Sequence, residues 1–440
     1  ERLPYVDGMV NLLVVSSRFR ISQTELMRVL APGGVLLVSA ADGWERTVKP
    51  LPQQLDDWTH YLRGPDNNAV SKDTAITAPL RHLQWKGSPK YSRHHDKSSS
   101  IPAVVSTGGR VFYIVDHGPR ASILWDADWY VVARDAFNGV VLWQRKITQW
   151  TDQLWPLKSG PAKTPRRLVA VNDAVYVTLG LLGPVSKLNA AIGAKLKTYT
   201  GTEKTEEILL DDGVLYLVIH PTIDAAQRGG VWKQTPKKVM AVRESDGAIL
   251  WQHTLPWIAP VTLTVAGRNV VLCDGPRILA FDRDKGKKVW ESKKLPWREK
   301  MPTYFAPTLV AAKNCVLYVG GENWREHAGS KGLLTCLDAG TGKIKWQRPH
   351  LPSGYQSPQD IFVIGNSVWC GSLNSKPGEF DKRYPDVSPS TGEFISYDLD
   401  TGKPGRTLPR GADSYWFHHR CHRAKATENF FLTSRTGTGL

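Results

Sequence analysis

Residues 333–347 read LLTCLDAGTGKIKWQ, and the fold is decided here because the frame of this stretch returns along the chain. A short apolar run ends on Asp338, Gly342 follows four positions later, and Trp346 four after that. The pattern predicts a strand, a tight turn and a second strand. Gly takes positive φ without strain, and the Asp side chain can accept hydrogen bonds from the turn amides. Asp135, Gly139 and Trp143 keep the same offsets, as do Asp282, Gly286 and Trp290, while Arg243, Gly247 and Trp251 change only the first residue. Asn189 with Gly193 and Asp398 with Gly402 keep two of the three, Lys197 and Arg406 standing where Trp is expected. Six copies of one hairpin define an internal repeat.

Upstream of each hairpin lies an apolar run, a small polar turn and a second apolar run. The turns are Thr107-Gly108, Asn172-Asp173, Asp211-Asp212-Gly213, Gly267-Arg268, Lys313-Asn314, Gly365-Asn366 and Thr427-Glu428. Each unit therefore holds four strands. The hairpin glycines are 54, 54, 39, 56 and 60 residues apart, so the length variation belongs to loops and the core stays near one propeller blade. The expected fold is all-β, a β-propeller of four-stranded blades over residues 81–440, preceded by a small α/β fragment. Six full units and the first hairpin of a seventh are visible, with seven or eight expected in a complete ring. On the outermost strand the Trp would cover the seam between blades, burying ~150–250 Å². Arg81–Gly87 is expected to be a lone strand whose Trp85 completes the closing blade, as a ring without exposed edges requires.

Residues 1–45 stand outside the repeat. Val10–Ser16 is a continuous apolar strand, Ser22 and Glu25 form a capping box opening a helix through Leu30, Pro32-Gly33-Gly34 stops it, and Val35–Ser39 is a second strand. Residues 46–80, rich in turn formers around Pro65-Asp66-Asn67-Asn68, are expected to be a linker. The first residue is Glu1 and the last run is strand-like, which predicts a chain cut at both ends.

With 57 Lys and Arg against 41 Asp and Glu the net charge is +16, which favours acidic partners. The basic residues stand in short groups such as Arg166-Arg167, Lys237-Lys238 and Lys287-Lys288, expected to be solvated loop charge, and no long basic arm points to nucleic acid. No run approaches the ~20 apolar residues of a membrane span. Five cysteines without CxxC spacing, four of them (Cys273, Cys315, Cys336 and Cys370) in strand-like runs, predict buried free thiols.

The motif LDAGTGKIKW at Leu337–Trp346 resembles the repeat of pyrroloquinoline-quinone (PQQ) type propellers, the family of quinoprotein alcohol dehydrogenases and of the outer-membrane assembly lipoprotein. The resemblance runs from about Trp58 to the C-terminus and implies a WD40-like architecture shared by enzymes and binding scaffolds. The quinoprotein pattern is incomplete: no two cysteines are adjacent, and Cys421-His422 ends a haem-attachment motif whose first position is His418. At the N-terminus, LPYVDGMVNLLVVS and ELMRVLAPGGVLLV resemble the C-terminal part of a class I S-adenosylmethionine (SAM) dependent methyltransferase. The glycine-rich loop that holds SAM in that family has no counterpart here, so SAM is not expected to bind, and Asp7 and Ser16 would only edge its pocket. The joining of these two parts resembles large bacterial proteins of the planctomycete type.

Loops that lead into a first strand share one face of a propeller with loops joining strands two and three, and the resemblance implies that this face carries the ligand. Arg93, His94, His95, Asp96 and Lys97 precede the first unit, and His418, His419, Arg420, Cys421, His422 and Arg423 precede the seventh. Imidazole, thiolate and carboxylate suit a transition metal, which makes His418, His419, Cys421 and His422 metal candidates beside His94, His95 and Asp96. Arg93, Lys97, Arg420 and Arg423 suit an anion. Tyr304, Gln356, Asp360, Glu206 and Glu207 should look the same way, and Trp125, Asp126, Asp128, Trp129 and Trp232 are positioned for a lid. The leading reading is a non-enzymatic scaffold holding a small-molecule, glycan or protein ligand at the channel mouth. The alternatives are a dehydrogenase using PQQ and a divalent metal, and a methyltransferase in a longer protein. The resemblance to the propeller family favours export over a cytoplasmic location.

Overall fold

The computed structural model describes residues 2–16, 18–77, 83–88, 101–119, 121, 125–151, 162–221, 231–301, 303, 305–320, 332–350, 360–373, 392–410 and 423–432. Among them, six four-stranded antiparallel sheets follow one another in sequence. Blade one consists of Ala103–Thr107, Arg110–Asp116, Trp129–Asp135 and Val141–Lys146, and blade two of Leu168–Val171, Ala174–Thr178, Val185–Asn189 and Lys195–Thr198. Blade three runs Thr205–Asp211, Val214–Ile219, Lys237–Arg243, Ile249–Leu255, and blade four Thr264–Ala266, Asn269–Cys273, Ile278–Asp282, Lys288–Glu291. Blade five holds Thr308–Ala312, Cys315–Val319, Gly332–Asp338 and Ile344–His350, and blade six Ile361–Ile364, Ser367–Leu373, Gly392–Asp398 and Pro404–Arg410. First strands of successive blades touch, which places them innermost. Sequence follows position: second strands such as VLYLVI at Val214–Ile219 are buried between blades and apolar throughout, whereas the outermost VLWQRK at Val141–Lys146 is largely exposed. Cys273, Cys315, Cys336 and Cys370 are free, buried thiols. No helix among the described residues is long and apolar enough to cross a membrane.

The repeated residues build one device. Asp338 Oδ1 accepts from the amides of Gly340 and Thr341, the Gly342 amide donates back to the Asp338 carbonyl at 2.8 Å, and Gly342 has φ +68. The Trp then reaches the neighbouring blade. Trp290 Nε1 donates to the Ala339 carbonyl at 2.9 Å, and its ring lies so close to Gly342 that a Cβ there would stand 2.3 Å from ring carbon Cε3. Trp143 meets Ala190 and Gly193 in this way, Trp251 meets Arg283 and Gly286, and Trp346 meets Leu399 and Gly402. Where Lys197 replaces the Trp, Tyr199 takes over: its hydroxyl donates to the Glu244 carbonyl at 2.9 Å and its ring packs on Gly247. The aromatic clamp thus moves two residues along the chain, to Tyr199 just past the strand Lys195–Thr198.

Only the first hairpin of a seventh blade, Lys425–Thr427 and Phe431–Leu432, lies within the described residues. It gains a third strand from Val70–Ser71, which pairs in parallel with Lys425–Thr427. Of the strand expected at 81–87, Arg81 and His82 lie outside the described residues, and Leu83–Gly87 joins no ladder. Trp85 nevertheless performs the closing role. Its indole donates to the Ala136 carbonyl at 2.8 Å and its ring lies on Gly139, as each blade's Trp does for the next.

The segment expected to be a linker is built into the ring. First strands have one free edge facing the axis, and residues 58–69 satisfy it blade by blade in chain order. Ser106 donates to the Trp58 carbonyl (2.8 Å), Ala170 to Thr59 (2.9 Å), Val265 to Pro65 (2.8 Å), Ala311 to Asp66 (2.9 Å) and Ala426 to Ala69 (3.0 Å). Leu210 donates to His60 Nε2 at 3.1 Å, and Val363 to Asn68 Oδ1 at 2.9 Å. Each of these seven amides belongs to the penultimate residue of a first strand. The segment therefore floors the channel on the face where first strands end; the opposite face, toward which the second-to-third strand connections run, is termed the mouth. Turn-forming residues suit this path, because Arg63 and Asn67 have φ of +69 and +60.

Upstream, Val10–Val15, Leu30–Ala40 and Gly43–Val48 form a separate three-stranded sheet, the first pair parallel and the second antiparallel. Ser22 caps the helix Gln23–Val29 as expected, but the helix stops at Val29. Pro32-Gly33-Gly34 lies inside the following strand, where the register shifts and Gly33 has φ +80. The bulge absorbs the residue that has no N–H to donate. Asn11 and Met9 dock on blade one, Asn11 Nδ2 donating to Asp135 Oδ2 at 2.6 Å and Asn138 Nδ2 to the Met9 carbonyl at 3.0 Å.

Candidate binding site at the open mouth

Residues 163–167 leading into blade two, the start of blade three, and residues 220 and 232–237 beside its second and third strands bring a set of charged side chains together on the mouth side. At the centre is Glu206. Its Oε1 receives Lys163 and His220 Nδ1, the latter at 3.1 Å, and its Oε2 receives Lys237 Nζ at 2.9 Å. Both ammonium groups also lie over the ring of Trp232, at 5.0 and 5.9 Å from its centroid. All but Lys163 are almost wholly buried. Burial sets the charge state: Lys237 is pushed down to about 8, and burial with Lys237 and Arg167 nearby holds Lys163 well below the ordinary lysine range. Burial and then Lys237 and Lys163 push His220 down to about 3, so it is neutral, and its Nε2 lies 2.7 Å from Thr235 Oγ1.

Beside this group, Glu207 binds Arg166 Nε at 3.2 Å and accepts the Val261 amide at 2.6 Å. Val261 has φ +64, a costly conformation for a β-branched residue, and it belongs to the same buried apolar cluster as Leu62 of the floor segment. Arg166 continues inward to Asn67 Oδ1 (2.8 Å) and the Leu263 carbonyl (2.6 Å), tying mouth to floor. Across the channel, Arg423 Nε faces Asp360 Oδ1 at 3.3 Å and Nη2 donates to Thr308 Oγ1 at 2.6 Å, joining blades five, six and seven. An open groove of about 490 Å³ runs along the rim between blades one and two, lined by Thr148, Gln149, Leu182, Ser186, Lys195 and Thr198.

Glu206, Glu207, Asp360 and Arg423, picked out from their place before or at first strands, are brought to one face. Arg93, His94, His95, Asp96, Lys97, Tyr304, Gln356, His418, His419, Arg420, Cys421 and His422 lie outside the described residues. Of the expected lid, Trp125 is exposed, Asp128 pairs with Lys146 at 2.8 Å, and Trp129 and Trp232 are buried in the core, Trp232 donating to the Phe305 carbonyl at 3.1 Å. Asp7 lies away from the mouth and pairs with Arg28 at 2.5 Å. The expectation of solvated charge fails at Arg166, Arg167 and Lys237, all buried. The reason is local: Arg166 and Lys237 each face a carboxylate of the adjacent pair Glu206-Glu207. Two acidic residues inside an otherwise apolar strand were the available signal for this cluster. His220 and Lys163 carried none, because each sits at the edge of a long loop.

A ring of four-stranded antiparallel sheets, clamped blade to blade by an aromatic on a turn glycine, defines a β-propeller of the PQQ-repeat class. The family model described as outer membrane protein assembly factor BamB matches residues 130–404, and the chain belongs to that family. BamB of Burkholderia pseudomallei (strain K96243) is 25% identical over 246 residues, 46% of this chain and 60% of its own length. The dehydrogenase subunit of the quinone alcohol dehydrogenase of Acetobacter aceti is 26% identical over 177 residues, 37% of this chain and 21% of its own. The chain thus spans less than two thirds of either relative. Among solved structures, a europium-containing methanol dehydrogenase aligns over 81% of this chain and 78% of its own, with 12% identity and a TM-score of 0.48.

Proposed function

We propose that this chain is a ligand-holding propeller scaffold whose open mouth receives a protein partner or small ligand. One observation carries the reading. The channel is floored on one face by residues 58–69, and toward the opposite face the described residues gather buried charges around Glu206 and Trp232, which favours that face for a ligand. A relative named as an assembly factor supports a protein partner. The relative named as a quinone dehydrogenase raises a second reading. Against it, three mouth carboxylates among the described residues are already engaged: Glu206 by two lysines, Glu207 by Arg166 and Asp360 by Arg423. Among the described residues no group of three or more His, Cys, Asp or Glu is placed to hold a metal. These residues do not fit the oxygen cage that a quinone-linked divalent metal needs.

The test is photocrosslinking in the cell. A benzoylphenylalanine replacing Trp125, which is 53% exposed on the mouth face, should give a discrete adduct. The same group at Asp212, on the first-to-second strand turn of the opposite face, should give none. Equal labelling from both, or dye-linked alcohol oxidation after loading with PQQ and calcium, would overturn the scaffold reading.

A further inference from the structure

Arg167 differs from the paired charges Lys163, Arg166 and Lys237. Arg167 is 4% exposed, yet no carboxylate stands beside it among the described residues, and its Nη1 has no hydrogen-bond partner. The guanidinium stacks over Trp150, 4.1 Å from the ring centroid, and Nη2 donates to the Trp150 carbonyl. Trp150 is itself fully buried, and its Nε1 is also without a partner. Two donors on two touching side chains are thus left open, one of them on a cation.

Burying a charge without a counter-charge is strongly unfavourable, and native proteins retain such a group when something else completes it. Burial lowers Arg167 to about 9, which leaves it charged at neutral pH. An oxyanion would accept from both open donors, since a carboxylate has two acceptor oxygens and one negative charge. Thr148 and Gln149, immediately before Trp150 in the chain, form part of the wall of the rim groove, which Trp150 and Arg167 themselves do not line.

We propose that Arg167 and Trp150 form a subsite for the carboxylate of a small organic acid, entered from the groove between blades one and two. This rests on the mouth being the binding face. Arg167 Nη1 and Trp150 Nε1 donate to the acid, and the rest of the molecule lies along the groove.

The test uses the whole chain in buffer free of organic acids, with acetate and benzoate as probes and chloride and sulfate as ionic controls. At ~100-fold excess over its dissociation constant, a bound acid should raise the melting temperature by roughly 3 °C. Arg167→Gln should abolish that rise while leaving the acid-free protein at least as stable as wild type, because it removes an uncompensated buried charge. A merely structural Arg167 would instead make Arg167→Gln clearly less stable, and that result would overturn the assignment. No response of wild type to either acid would overturn it too, as would an equal rise with chloride or sulfate. A lost Trp125 crosslink with an intact acid response would count against the mouth-partner reading alone, and the converse against this subsite alone.

Discussion

At residue scale, glycine and tryptophan are one structural unit divided between two blades. Gly342 needs positive φ and also must lack a Cβ, because Trp290 occupies that space. Gly267 also has positive φ, +59, but a Cβ there would meet nothing within 4 Å. Gly267→Ala should therefore cost only the backbone strain, about 1 kcal/mol. Gly342→Ala should cost about 2 kcal/mol more, because the indole must move out of the seam. Urea denaturation of both variants reads the difference, and equal costs would mean that the clamp contributes nothing. Titration supplies a second residue-scale expectation. His60 and His220 are held at about 3 in the folded chain by burial, against 6.5 when unfolded. Between these values the unfolded state binds more protons, so stability is full above pH 6.5 and falls as pH drops toward 3. The slope is ~1.4 kcal/mol per pH unit for each histidine. Urea midpoints at pH 7, 5.5 and 4.5 should show it, and His60→Gln should remove about half.

At the scale of elements, the floor segment is the least expected part of the chain. Asn67 Nδ2 donates to the carbonyls of Leu263 and Leu309, on blades four and five, while its Oδ1 accepts from Arg166. Asn67→Ala removes three buried hydrogen bonds and leaves their partners unsatisfied, which should cost ~3–5 kcal/mol, an effect readable in the denaturation midpoint. The hairpins were legible in sequence because their chemistry is local: Asp, Gly and Trp at fixed spacing describe contacts made within one turn or with an identical neighbour. The floor was not, because its partners lie from about 50 to 350 positions away and are backbone amides, which no residue type betrays. Tyr199 falls between these cases. Its aromatic side chain was visible, but two places from where the frame predicted it.

At the scale of the molecule, blade order and the mouth face follow from the repeat, while the charge pattern at that face does not. Glu206-Glu207 inside an apolar strand marked part of the site, but the pairing of Arg166, Lys163 and Lys237 with them depends on loops of variable length meeting across three strands. The central claim is that, among the described residues, 58–69 bond to the inner edges of all seven first strands at one end of the channel. Hydrogen exchange read by mass spectrometry, with wild type and Asn67→Ala compared, tests it most directly. The amides of Ser106, Ala170, Leu210, Val265, Ala311, Val363 and Ala426 donate to this segment. All seven should be among the slowest to exchange in wild type, and should speed up together in the variant while outer-strand amides keep their rates. Rapid exchange of these inner-edge amides in wild type, or no change in the variant, would contradict it.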